Sequence, residues 1–134
     1  MIKSFKLQST MDKETIDITE SVNKIIQESG IEDGMAFIFV PHTTAGLTII
    51  ENADPDVQKD LIYKLKEIVP RDARFFHFEG NSDAHIMSSL IGSSLTVPIE
   101  NHALWLGKWQ GLFLVELDGP RPREVGVKLI RSCA

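Results

Sequence analysis

Met35–Ile50, MAFIFVPHTTAGLTII, is two apolar runs separated by a polar knot. Met35–Val40 is short and uninterrupted, which suits a strand buried on both faces and placed centrally in a sheet. Ala45–Ile50 resumes as a second strand after a small start that contains Gly46. Pro41, His42, Thr43 and Thr44 break the pattern where the first strand would end, and polar residues between two apolar strands need a chemical reason. Downstream, Asp54 is placed to cap a helix whose first position is Pro55, where the missing amide costs nothing. That helix runs to about Ile68, burying Val57, Leu61, Leu65 and Ile68, and Pro70 closes it. Upstream, Ile2–Ser9 and Glu14–Ile18 alternate and read as a two-strand hairpin. Thr19 then caps an amphipathic helix carrying Val22, Ile25 and Ile26, and Gly30 ends it. Glu32, Asp33 and Gly34 form a turn into Met35.

Further along, Arg71–Gly80 is irregular. Leu95–Ile99 alternates as a strand whose Pro98 suits an edge or a bulge. Leu104–Leu106 follows a turn. Trp109–Leu117, WQGLFLVEL, is the longest strand candidate, and Arg123–Ile130 returns as its hairpin partner after the Asp118–Pro122 turn. The order is two strands, one helix, two strands, two helices and three or four further strands. This predicts an α+β domain spanning 1–134, with a largely antiparallel sheet or sandwich and about three helices.

The chain has 134 residues, 43% hydrophobic and 25% charged, which is ordinary for a globular protein with a real core. A net charge of −5 argues against a nucleic-acid surface, because neutralising phosphates needs clustered Lys and Arg. The single cysteine, Cys133, allows no internal disulfide framework and no thiolate metal knuckle. No apolar run approaches a membrane span, and MIKSFKLQSTMDKE lacks a signal-peptide pattern, so a cytoplasmic location is expected.

The candidate chemistry gathers in His77–Ser94, HFEGNSDAHIMSSLIGSS. Ser82 can cap a helix whose first turn holds Asp83 and His85. Ile86, Met87, Leu90 and Ile91 form its apolar stripe, while His85, Ser88, Ser89 and Gly92 line a neighbouring face that could border a pocket. Gly92 ends the helix. His42, His77 and His85 sit in polar contexts, whereas His102 belongs to a solvated turn. Three imidazoles with Glu116 would suit a divalent ion such as Zn or Mg, and the same rings also serve as hydrogen-bonded structural residues. Asp54 and Asp83 read first as helix-capping or first-turn acids. Glu116 lies inside an apolar run, where an unpaired carboxylate is costly, so it needs a histidine, Arg121 or a metal as partner. Ser93 and Ser94 either end the helix or, with Arg121, hold phosphate. Arg121 and Arg123 also read as a solvated pair.

The blocks PHTTAGLTIIENADPDV (Pro41–Val57), EGNSDAHIMSSLIGSSLTVPI (Glu79–Ile99) and GKWQGLFLVELDGPRPREV (Gly107–Val125) resemble the signature of the YjbQ-like family, also called secondary thiamine-phosphate synthases. Ile50 and Lys108 depart from its usual pattern. The resemblance implies a compact α+β sandwich, a homotrimer, and an ability to join thiamine's pyrimidine and thiazole phosphates. It implies catalytic roles for His42, His85 and Glu116, and metal binding by His42, His77, His85 and Glu116. Substrate contacts are expected from Thr43, Thr44, Asn52, Ser88, Ser93, Ser94, Gln110 and Arg121. The partner is then a small phosphorylated metabolite, with no nucleic acid and no membrane. A metal-dependent hydrolase and a non-catalytic trimeric phosphometabolite-binding protein are the alternatives.

Overall fold

A computed structural model describes residues 1–72 and 74–133. The elements are β1 (Ile2–Gln8), β2 (Glu14–Asp17), α1 (Thr19–Ser29), β3 (Gly34–Phe39), β4 (Ala45–Glu51), α2 (Pro55–Ile68), α3 (Ser82–Ile91), β5 (Ser94–Glu100), β6 (Ala103–Leu104), β7 (Gln110–Glu116) and β8 (Pro122–Arg131). All strand pairings are antiparallel and build two sheets, β1-β8-β3-β5-β6 and β2-β7-β4. The chain is α+β.

The larger sheet contributes Ala36, Ile38, Val97, Ile99, Val125 and Val127 to the main core. Leu47, Leu112 and Leu114 of the smaller sheet join them, with Val22 and Ile26 of α1. Beyond β7 a second core gathers Val115 and Leu117 with Leu65 and Val69 from the α2 segment and Ala84 and Met87 of α3. β7 is therefore apolar on both faces, as its unbroken Gly111–Leu117 burial records. The same property was expected of Met35–Val40, and there the structure differs. β3 is central in its sheet but alternates, with Ala36 and Ile38 buried and Met35, Phe37 and Phe39 exposed, because nothing in the protomer covers its outer face.

Neither expected hairpin forms. β1 pairs with β8 and β2 with β7, so both short links pass from one sheet to the other. The two links run side by side: the Ser9 amide donates to the Arg121 carbonyl at 3.0 Å, and the Gly119 amide donates to the Asp12 carbonyl at 2.8 Å. Each link satisfies backbone groups of the other, which a tight turn within one sheet would have satisfied internally.

Helix ends follow the sequence in part. Asp54 caps α2 by accepting from the Asp56 amide at 2.9 Å. Gly30 closes α1 with a left-handed φ of 75°. Thr19 does not cap α1; its hydroxyl accepts the Leu112 amide at 2.9 Å and pins the helix to β7. Instead, Asp17 accepts from the Thr19 amide. Ser82 does not cap α3 either, since its hydroxyl engages His77. In α2, Ile68 is exposed and Val69 takes the buried place. In α3 the packed face is Ala84, Met87 and Ser88, while Ile86 and Leu90 face outward. The end of α3 lies close against β4: a Cβ on Gly46 would stand 2.7 Å from the Gly92 carbonyl oxygen and from Ile91 Cγ2. Pro98 sits in β5 with its carbonyl turned outward to the Trp105 amide, so its missing N–H falls away from β3.

Candidate functional site: a cleft of imidazoles and hydroxyls

The β3–β4 link, Val40–Thr44, meets the C-terminal end of α3. Three hydrogen bonds fix the junction: the Val40 amide to the Ser93 carbonyl at 2.9 Å, the Leu47 amide to the Gly92 carbonyl at 3.0 Å, and the Ser88 hydroxyl to the Ala45 carbonyl at 2.8 Å. The result is a cleft of about 360 Å³ lined by His42, Thr43, His85, Ser88, Ser89 and Ser93, with Gly92. The polar knot and the serine-flanked helix are thus brought together.

Within the cleft the groups are not equivalent. Ser88 is buried and committed to Ala45, and Ser89 donates to the His85 carbonyl at 3.0 Å. Thr43 and Ser93 have side chains without hydrogen-bond partners among the described residues. His42 Nε2 accepts the Glu124 amide at 2.9 Å. A nitrogen that accepts carries no proton, so neutral His42 holds its proton on Nδ1. Burial, followed by the nearby Arg123 cation, keeps the His42 pKa below its ordinary value, which favours that neutral form.

Beneath the cleft lies an ion pair that sequence reading did not place. Glu116 is fully buried and Arg123 is 5% exposed. Glu116 Oε1 accepts from Ser9 Oγ at 2.6 Å and from Arg123 Nε at 2.8 Å; Oε2 accepts from the Asp118 amide at 3.0 Å and from the Arg123 guanidinium. Burial alone would raise this acid, but the hydrogen bonds from Arg123, Ser9 and the Asp118 amide outweigh it and hold the carboxyl below its usual range. Arg123 also donates to the carbonyl and hydroxyl oxygens of Thr44, each at 2.9 Å. The pair therefore anchors the link that carries His42 and Thr43. Arg123 is a buried partner, not half of a solvated pair, and Arg121 instead engages Asp118 at 2.9 Å. The signal was present in an acid inside an apolar strand, but only the register between sheets identifies its partner.

The remaining expected site residues are dispersed. Thr44 belongs to the anchor, and Ser94 opens β5 as an exposed residue just past the cleft. Asn52 and Gln110 bond to each other's neighbourhood at the far end of the smaller sheet, Asn52 Nδ2 to the Gln110 carbonyl at 3.2 Å. Because Ala45 pairs with Glu116 and Glu51 with Gln110, that end lies roughly 20 Å from the cleft along the strands. His77 stands beside His85, its ring edge-on with centroids 5.7 Å apart and Nδ1 2.9 Å from Ser82 Oγ. Asp83 is a first-turn acid of α3 as read, but it is also buried, with Lys13 Nζ at 3.2 Å and Arg71 Nε at 3.6 Å. Asp118, lowered by its bonds to Asn81 and Arg121 against the effect of burial, completes this charged rim.

The four expected metal ligands do not form one set. Every accepting direction of the Glu116 carboxylate is taken, and His42 Nε2 is engaged by a backbone amide. Among the described residues, no three His, Cys, Asp or Glu side chains gather in a metal-holding arrangement. Glu116 instead holds Arg123, which holds Thr44 at the base of the link.

Fold and site together define a two-sheet α+β protein with a histidine and hydroxyl cleft at the end of a helix. The family profile described as UPF0047 protein YjbQ-like matches residues 3–132, and the chain belongs to this YjbQ/UPF0047 family. It is 49% identical over 130 residues to a UPF0047 protein of Methanocaldococcus jannaschii, covering 97% of this chain and 94% of that one. It is 47% identical to the UPF0047 protein YugU of Bacillus subtilis, over 97% and 99% of the two chains. A crystal structure of a YjbQ/UPF0047 family protein from Clostridium acetobutylicum superposes with a TM-score of 0.93 at 52% identity, over 96% of this chain and 99% of that one. Among the described residues, no helix is long and apolar enough to cross a membrane.

Two outcomes follow from the buried pair. Arg123→Met leaves the Glu116 carboxylate buried without its cation and should cost about 3–5 kcal/mol in urea unfolding. Acid should act through both lowered groups. Below its ordinary value of 6.5, His42 takes up a proton in the unfolded chain before it does in the folded one, and below 4.5 Glu116 does the same. Stability is then full above pH 6.5 and falls on acidification; a urea midpoint that stays constant from pH 7.5 to 4 would contradict this.

Proposed function

We propose that the cleft holds the diphosphate of an activated aminopyrimidine, and that the protein joins it to a thiazole phosphate as a secondary thiamine-phosphate synthase. The observation that supports this reading is the composition of the lining: two imidazoles and four hydroxyls from two converging elements, with no carboxylate. Such a set favours an anion, because it offers donors and no like charge.

In the reaction the thiazole ring nitrogen attacks the methylene carbon of the aminopyrimidine diphosphate. The carbon–oxygen bond breaks, its electron pair leaves with diphosphate, and the ring nitrogen becomes the thiazolium cation. The attacking lone pair needs no base. Demand falls on the leaving group, whose growing charge needs fixed donors. His42 Nδ1–H, His85 and the free hydroxyls of Thr43 and Ser93 fill that role. Glu116 and Arg123 act by holding the His42 link in place. Alignment of the two substrates supplies the rest of the rate.

We also propose a homotrimer, with copies meeting on the outer face of the larger sheet. Met35, Phe37, Phe39, Ile2 and Ile130 are exposed there, Phe37 and Phe39 stack with centroids 6.4 Å apart, and the groove over them is about 510 Å³ with Glu124 and Lys128 at its rim. Contiguous exposed side chains of this size mark an association surface.

Diphosphate release from the two substrates should fall roughly 100-fold or more in His85→Ala, at unchanged oligomeric mass. Turnover equal to the parent protein would remove His85 from the reaction, and binding without release would leave a phosphometabolite-binding protein. Separately, light scattering should show the parent as a trimer and Phe37→Glu/Phe39→Glu as a smaller species; a monomeric parent would end the association proposal.

A further inference from the structure

His85 borders two hollows. One is the hydroxyl cleft; the other, about 660 Å³, shares His85 with it and is walled by Arg74, Phe75, Phe76, His77, Ser82 and Ile86. That volume suits a small molecule. The two differ in chemistry: the first offers hydroxyl donors, the second aromatic and imidazole faces with one guanidinium. No carboxylate lines either among the described residues.

The second hollow is built, not accidental. The His77 ring is held by Ser82 Oγ at 2.9 Å and stands at 85° to the His85 ring, the one imidazole that borders both hollows. Phe76 is 101% exposed, its ring unburied by the described residues. A phenyl ring held in water beside an open hollow gains most from a flat partner laid against its face. His77 Nε2 faces the Glu79 carboxylate at 3.7 Å, and Arg74 adds a guanidinium, which stacks on a planar ring.

We infer that this hollow is a second lobe of the site, which receives the planar nitrogen heterocycle of a ligand whose phosphate or diphosphate lies in the hydroxyl cleft, and that Phe76 sets the preference for such a ring. The inference rests on the reading of the cleft as an anion site. His85, which borders both hollows, then lies beside the bond between ring and phosphate.

The test compares two probes on the full chain, aminopyrimidine diphosphate and inorganic diphosphate, by calorimetry. The ring-bearing probe should bind the parent protein more tightly. Phe76→Ala, which removes a fully exposed side chain and leaves the core untouched, should weaken that probe roughly tenfold and inorganic diphosphate less than twofold, while Phe76→Tyr restores the preference. Equal or undetectable binding of the two probes to the parent, or equal loss of both in Phe76→Ala, overturns the inference. So does a fall in oligomeric mass in Phe76→Ala, which would make the ring a subunit contact. A preserved ring preference without diphosphate release sinks the synthase reading and leaves the second lobe standing.

Discussion

The buried contact between Glu116 and Arg123 is the constraint on which the functional end of the molecule depends. It joins the end of β7 in one sheet to β8 in the other, and it reaches Thr44 in the link between β3 and β4. Breaking water contact for two ions is expensive, and an ion pair offsets that only when its remaining hydrogen-bonding directions are filled. Here Ser9, the Asp118 amide and Thr44 fill them. A hydrophobic pair could hold two sheets together equally well. It could not orient the carbonyl and hydroxyl of Thr44, and so could not fix where His42 begins.

From that anchor the cleft follows by backbone geometry. The adjacent Glu124 amide sets the His42 tautomer, and the close approach of β4 to α3, which Gly46 permits, sets the distance at which His85 and the serines face it. The hydroxyls then divide by burial. Ser88 serves the fold, whereas the Thr43 and Ser93 hydroxyls line the cleft without a hydrogen-bond partner among the described residues.

Much of the architecture was legible because local signals agreed with the tertiary outcome. Asp54 before Pro55, Gly30 and Gly92 after their helices, and the central place of β3 follow from capping chemistry and apolar patterning. The pairing of strands was not legible. Met11–Lys13 and Asp118–Pro122 look like hairpin turns in isolation, and only the strand pairing shows that both links cross between sheets. The doubly buried strand was assigned to Met35–Val40 because periodicity alone cannot say what covers a face; β7 has that position and β3 does not. For the site, His42 and His85 are expected to share a cavity with Glu116; the cleft brings His42 together with His85 and the serines, while Glu116 lies outside its lining. The separation of Asn52 and Gln110 from them could be read only from the β4–β7 register, and the partner of Glu116 only from the sheet-to-sheet contact.

The placement of β8 between β1 and β3 has a consequence for how the chain comes to order. Among the described residues β1 pairs with β8 alone, so during synthesis it must wait for more than a hundred further residues before its amides find acceptors. Its contacts span more than a hundred residues, as in Ile2 opposite Lys128. Long closures of this kind slow folding. On the ribosome, β3, β5 and the helices can assemble early, while the first strand stays an unclaimed ribbon until its late-made neighbour emerges to receive it.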